Sequence, residues 1–402
     1  MVDFSHITRG SMKDHSCALI LGGYVNGYSI IQELSENGVQ DIVLFSTRRE
    51  PGSYSNKIKK FVLIAPSPDG LLKELQLLAG EYNFIVLFPT DDIQLENLYA
   101  IYDQISDFCF IPFNKNNFPA SLDKYSQYAS CDALGVPRPE TIEIRTVEDI
   151  ETISSITFPV LIKPKTRLDE KIRIFRNLHL QNEQDLIKNT DSLKNFVLNG
   201  VSFIASEIIP GDGSNIYAYV GYRNREGRIL NEWTGKKLSQ YPDDFGIFSS
   251  ASNQAPVEVI DQGKILLHGM NLMGIAEPEF KYDCRDGKYK LMEINLRSMM
   301  WNRVGYLSGV NIHYTQYVDA IGGEVPLYSQ NKTKDVHLVC LKHEISNLIA
   351  RKGYADIFYD NLFGGDTTNV ALFDIRDLTP FLVNCVDIID EIIAAGRKRI
   401  GI

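Results

Sequence analysis

Glu279, Glu293, Asn295 and Arg297 stand at spacings that could carry charge chemistry. The runs Glu279-Phe280-Lys281-Tyr282-Asp283 and Leu291-Met292-Glu293-Ile294-Asn295-Leu296-Arg297 alternate in character around Arg285-Asp286-Gly287, the pattern of a β-hairpin. Side chains alternate faces along a strand, so Glu293, Asn295 and Arg297 share one face and Met292, Ile294 and Leu296 the other. Glu279, on the partner strand, is placed to oppose the first set. Two carboxylates and an amide oxygen are hard ligands suited to Mg²⁺ bridging phosphates. An arginine beside them suits a charged substrate or transition state. The plain alternative is an amphipathic hairpin with a solvated polar face, which does not by itself favour acid, amide and base in this order.

Other segments add cations and a turn. Phe158-Pro159-Val160-Leu161-Ile162-Lys163-Pro164 reads as an apolar strand ending on Lys163. Such a lysine either snorkels to solvent or points a compact charge into a phosphate cleft. Asp123-Lys124 opens a helix that ends near Gly135, where Val136-Pro137-Arg138-Pro139 breaks it. Ser202 to Asp212 reads as a strand running into a sharp turn. Its main chain is either a hinge that pairs with an adenine edge or an ordinary edge strand.

The N-terminal third supplies elements to hold these groups. Cys17 to Leu21, Ile42 to Phe45, Phe61 to Ile64 and Phe84 to Phe88 read as buried strands. Helical stretches from about Tyr28 to Asn37 and from Leu71 to Gly80 lie between them. Strands separated by helices imply a parallel sheet. Gly22, Gly23 and Gly27 allow a phosphate-binding turn, although the spacing is not G-x-G-x-x-G and a tight strand-to-helix turn alone accounts for them. The second strand runs into Ser46-Thr47-Arg48-Arg49, which among dinucleotides suits NADP rather than NAD.

Composition sets the background. A chain of 402 residues, 44% hydrophobic and 23% charged, has room for two or three domains with real cores. A net charge of -10 argues against nucleic acid or an anionic membrane as the main partner. The six cysteines form no C-x-x-C pair and the seven histidines no metal-ligand spacing, which fits reduced thiols and a cytoplasmic location. No apolar run reaches transmembrane length. The first sixteen residues are polar and lack a signal-peptide core, and Gly10-Ser11-Met12 fits an expression scar.

Taken in order, these pieces resemble the ATP-grasp superfamily over about residues 17 to 325. The elements are Pro89-Thr90-Asp91-Asp92, Asp123-Lys124, Gly135 to Pro139, Pro159 to Pro164, Glu207-Ile208-Ile209-Pro210-Gly211, and the closing Glu279 and Glu293 to Arg297. Within the superfamily, Lys236-Lys237-Leu238-Ser239-Gln240-Tyr241-Pro242, followed by Gly246, resembles carboxylate–amine ligases of the D-aspartate ligase type. The resemblance implies a mixed α/β and α+β fold. A disordered lead (1–16) would precede a Rossmann-like parallel-sheet domain (17–120), an ATP-grasp domain (121–330) and a small C-terminal subdomain (331–402). It implies that Lys124 and Lys163 contact ATP phosphates, that Glu207 and Ile209 read adenine through main-chain atoms with Asp212 beside them, and that Glu279, Glu293 and Asn295 hold Mg²⁺, with Mn²⁺ as an alternative ion. Arg297 would steady an acyl phosphate or the incoming substrate, with Lys163 as its catalytic companion.

The implied partners are a small-molecule carboxylate and an amine, amino acids among them, with no nucleic acid and no membrane; a homodimer is compatible. Lys236, Lys237 and Trp301 are the candidates for the substrate end of the cleft. One departure is the stretch 165–173, which lacks the glycine-rich phosphate loop of many relatives. The competing functions are an ATP-grasp carboxylase or carbamoyl-phosphate-type enzyme using bicarbonate, an NADP-dependent oxidoreductase on the N-terminal sheet, and a non-catalytic nucleotide-binding protein.

Overall fold

In the computed structural model, residues 13–165, 174–175, 177–243 and 246–400 are described, with side chains to 389. Gly10-Ser11-Met12 and all but Lys165 of the glycine-free stretch lie outside these residues.

Strands β1 (Ser16–Leu21), β2 (Ile42–Ser46), β3 (Lys60–Leu63), β4 (Phe84–Pro89) and β5 (Cys109–Phe110) form a parallel sheet in the order β3-β2-β1-β4-β5. β1, β2 and β4 are buried along their whole length, as expected of apolar runs covered on both faces. Crossovers include the helices Val25–Glu36, Pro68–Ala79 and Asp92–Ala100. The second of these starts three residues earlier than its apolar period suggests. Ser67 caps it by accepting the Gly70 N–H at 3.1 Å, and Pro68 occupies the first turn. The end of the lead is anchored: β1 begins at Ser16, and the Lys13 N–H donates to the Ile321 carbonyl at 2.9 Å.

A second, antiparallel sheet contains β6 (Thr141–Ile144), β7 (Val160–Pro164), β8 (Leu178–Leu180) and β9 (Phe203–Glu207) in the order β6-β9-β7-β8. With the helix Glu183–Leu198 it builds its own core around Ile153, Val160, Leu193 and Phe203. The third sheet comprises β10 (Ile216–Arg223), β11 (Ile229–Tyr241), β12 (Ile247–Ser252), β13 (Gly274–Asp283), β14 (Lys288–Asn295), β15 (Val336–Val339) and β16 (Thr367–Val370). Its order is β14-β13-β10-β11-β12-β15-β16, antiparallel except for the β15–β16 pair.

The first and third sheets share their interiors. Leu19 and Leu87 pack in one cluster with Phe280 and Leu291, and Ile20 and Val86 in another with Trp233, Trp301 and Leu338. The tail beyond 331, read from sequence as a subdomain, thus adds strands to the third sheet and side chains to a shared core. Glu344 pins it there. This buried carboxylate accepts hydrogen bonds from the hydroxyls of Ser239 (2.7 Å), Ser249 (2.5 Å), Ser250 (2.8 Å) and Tyr354 (3.0 Å). Among the described residues no helix is long and apolar enough to cross a membrane.

Candidate active site

The hairpin read from sequence is β13 and β14, and its register sets Glu279 opposite Glu293 and Glu277 opposite Asn295. Glu277 was not singled out from sequence, although it lies two residues before Glu279 and shares its face by strand parity. It is fully buried. Trp301 Nε1 donates to its Oε1 at 2.9 Å and, with the Asn302 amide in the orientation that satisfies both of its ends, Asn302 donates to its Oε2 at 2.6 Å. Burial and the charge of Glu279 push the Glu277 carboxyl well above the usual carboxylate range.

Lysines hold the two opposed acids. Lys237 Nζ lies 2.9 Å from Glu279 Oε2, both side chains buried. Burial works against the Lys237 ammonium, yet Glu279, Glu293 and Glu277 together keep its pKa above the ordinary value. Lys124 Nζ, in the first turn of the helix Lys124–Leu134, lies 2.5 Å from Glu293 Oε2. The Lys124 charge, aided by Lys163 and Lys237, brings Glu293 down to about 2. Arg297 is braced by Asp92, Nε to Oδ1 at 2.7 Å, and the ion pair outweighs the cost of burial so that its pKa is raised. Lys236 and Lys237 are neighbours on β11 and therefore face opposite sides of the sheet. Of the two, Lys237 borders the cavity and Lys236 does not.

The cavity holds about 470 Å³ and lies between the third sheet and the C-terminal edge of the first. Lys237, Glu279, Glu293 and Arg297 line one side, with Trp301 and Gly246 to Phe248 around them; Asn26, Arg48, Glu50 and Asp91 line the other. Trp301 is otherwise a core residue, edge-to-face with Trp233 at 5.5 Å. Burial raises the Asp91 carboxyl above its ordinary value.

The glycine turn at this edge already holds an anionic side chain. The Gly23 N–H donates to Glu50 Oε2 at 2.6 Å, Ser46 Oγ donates to the same oxygen at 3.0 Å, and Arg48 Nη2 donates to Oε1 at 3.2 Å. A dinucleotide phosphate would meet this carboxylate, which counts against the NADP reading. The glycines answer to geometry: Gly22 has φ +101°, and a Cβ at Gly27 would come within 1.9 Å of the Gly22 carbonyl oxygen.

Other predicted residues lie on the second sheet or just after its strand β9. The Glu207 side chain is a structural lock: Arg285 Nη2 donates to it at 2.6 Å, Lys290 Nζ at 3.2 Å and the Glu140 N–H at 3.0 Å. The Glu207 and Ile208 N–H groups donate to the carbonyls of Glu140 (2.9 Å) and Pro159 (2.8 Å). Ile209 is buried, while Asp212 caps a short 3₁₀ turn by accepting the Ser214 N–H at 2.9 Å. Lys163 stands on β7. None of these lines the cavity.

The outer edge of β14 is covered by the helix that carries Lys124. Gln127 Oε1 accepts the Ile294 N–H at 3.0 Å, and its Nε2 donates to the Ile294 carbonyl at 3.2 Å. Tyr128 donates to the Met292 carbonyl at 2.9 Å.

Among the described residues no group of three or more His, Cys, Asp and Glu side chains is arranged to hold a metal ion. The hairpin offers instead two acids and an amide. Glu279 Oε1 is a buried acceptor with no donor, and Asn295 Nδ2 is buried without a partner. A hard cation between the strands would satisfy the orphaned oxygen, so the donor chemistry fits Mg²⁺.

No protein-family model matches the chain. It is 23% identical over 317 residues to a D-aspartate ligase of Enterococcus faecium (strain Aus0004), covering 73% of this chain and 74% of that protein. Among solved structures it is similar to the ADP complex of an N5-carboxyaminoimidazole ribonucleotide synthetase, with TM-score 0.63, 16% identity, and 85% of this chain and 86% of the other covered. It is also similar to an L-amino acid ligase of Bacillus licheniformis, with TM-score 0.59, 12% identity, and 81% and 79% covered. The chain therefore shares the fold of these synthetases and ligases, and in sequence it resembles the D-aspartate ligase.

Proposed function

We propose that the chain is an ATP-dependent carboxylate–amine ligase that works through an acyl phosphate. The observation that carries this reading is one cavity joining the opposed acids Glu279 and Glu293 of the β13–β14 hairpin, Lys237 and Arg297 to the C-terminal edge of a parallel sheet, where α/β folds bind ligands. The proposed division is a first domain over 17–120 and a nucleotide-binding domain over 121–330, with the tail completing the latter's sheet.

In this reading main-chain atoms of Glu207 and Ile209 receive adenine, with Asp212 nearby, and Lys124 and Lys163 receive the phosphates. Glu279, Glu293 and Asn295 would hold Mg²⁺, which supplies neutralisation of phosphate charge. Lys124, now paired with Glu293, is offered a second anion when nucleotide binds. Arg297, braced by Asp92, stabilises negative charge on the substrate as it is activated. A carboxylate oxygen attacks the γ-phosphorus, the bond to the leaving ADP breaks, and an acyl phosphate forms. The amine nitrogen then attacks the acyl carbon and loses a proton, and the carbon–oxygen bond to phosphate breaks. Amino acids are the favoured substrates, aspartate first, because the related protein is a D-aspartate ligase.

ADP release is the test, measured across carboxylic acids with and without amino acids, with hydroxylamine present to trap an acyl phosphate as a hydroxamate. Acid-dependent ADP release with hydroxamate formation is expected. Release with bicarbonate alone would move the assignment to a carboxylase or carbamoyl-phosphate-type enzyme. NADPH binding without MgATP binding would overturn the nucleotide assignment. MgATP binding that no acid converts to ADP would favour a non-catalytic protein.

A further inference from the structure

Directly behind Arg297, the main chain is tied to the helix Val25–Glu36 through three buried side chains. Glu33, on the helix Val25–Glu36, accepts the N–H groups of His313 (2.7 Å) and Tyr314 (3.0 Å) on Oε1, at the start of the helix Ile312–Ala320. Glu33 Oε2 lies 2.6 Å from His313 Nδ1, and His313 Nε2 lies 2.9 Å from Ser298 Oγ. All three residues are buried. With the Nδ1 hydrogen facing the carboxylate, Nε2 is left to accept the Ser298 hydroxyl. Asn26 joins from the cavity wall: its Nδ2 donates to the carbonyls of Thr90 (2.7 Å) and Ser298 (3.3 Å).

Serine, histidine and acid in this order match a nucleophilic triad. Here, however, Ser298 is enclosed, and its neighbours Arg297 and Met299 form the cavity wall. The network therefore acts on geometry. We propose that Ser298, His313 and Glu33 are positioning residues that lock the chain after β14 to the helix Val25–Glu36, and so fix Arg297 over the substrate cavity. The proposal rests on reading that cavity as the ligase site. It gives a buried histidine and a buried acid on two different helices a common purpose, which helix packing alone does not require.

The test uses the full-length chain as wild type, Ser298→Ala, Ser298→Thr and His313→Gln. Two readouts are taken: steady-state ADP release, and amide hydrogen exchange of Asn302 and Val304, whose N–H groups donate to the carbonyls of Met299 and Trp301. Ser298→Ala and His313→Gln are expected to lower kcat about tenfold, to leave the KM for MgATP within about twofold, and to speed exchange about tenfold. Ser298→Thr, which keeps the hydroxyl, should restore both. A folded Ser298→Ala variant with wild-type kcat and exchange overturns the proposal. Equal losses in nucleotide KM and kcat, shared by Ser298→Thr, also overturn it, because they show a general structural effect. If His313→Gln fails to fold, Ser298→Ala decides. Absence of acid-stimulated ADP release in the wild type would instead remove the ligase reading, and hydrogen exchange would then decide the relay alone.

Discussion

At Glu293, ionic attraction wins over desolvation. Lys124 at 2.5 Å favours the charged carboxylate more than burial penalises it, and the pKa falls from 4.5 to about 2. A depressed carboxyl pKa contributes stability that is fully present above pH 4.5 and is lost as pH falls towards 2. Lys124→Met should therefore move the Glu293 pKa upward and flatten this part of the acid-side decline, as read by carboxyl NMR and by urea melts from about pH 2.5 to 6. Glu293→Gln should abolish ADP release while the fold stays intact, since hard cations prefer charged oxygen ligands; wild-type turnover in that variant would remove Glu293 from the metal set. Strand parity makes the shared face of Glu293 and Asn295 legible in the sequence, with Glu279 on the partner strand, while Arg297 lies two residues past the end of β14. Carried two residues further, the same rule reaches Glu277, and it separates Lys236 from Lys237. Asp92 and Lys124 meet their partners across 205 and 169 residues, and no local pattern in the sequence announces such pairs.

Among the elements, the first sheet was the most legible, because β1, β2 and β4 are uninterrupted apolar runs separated by helical periods. What escaped was the use of its glycine turn, since sequence does not reveal that Glu50 folds back onto the Gly23 amide. Gly27→Ala should cost about 2 kcal/mol in a urea melt, because its Cβ would press on a backbone carbonyl that cannot swing aside. By contrast, Gly38→Ala meets nothing within 4 Å and pays only for its φ of +85°, about 1 kcal/mol. Equal costs for the two would refute the close-packing account of this turn. The three residues of β8 and the four of β16 are too short to show a period and become strands only through their neighbours.

At the scale of the whole molecule, the tail completes a sheet that residues up to 330 leave open. The free edge of β12 is paired by β15, and Glu344 gathers hydroxyls from both β11 and β12. Glu344→Ala should destabilise the chain by roughly 3 kcal/mol, since it strands several buried donors at once. A chain ending at 335 should fail to give a monodisperse peak in size-exclusion chromatography, because it exposes a buried strand edge. A well-behaved truncated protein would show that the tail is dispensable. Sequence reading separated this tail because its pairing partners lie far upstream, 89 residues in the pair Ser250 to Val339.

The side chain of Gln127 behaves towards Ile294 as a single borrowed peptide group, answering both its N–H and its carbonyl. The strand that carries Glu293 and Asn295 is thus an edge in topology but not in chemistry: it has no open ladder at that point to offer an extended peptide or a second copy. The opposite end of the strand order is β16, far from β14. The helix that carries Lys124 thus closes to strand addition the same strand that carries the candidate ligands.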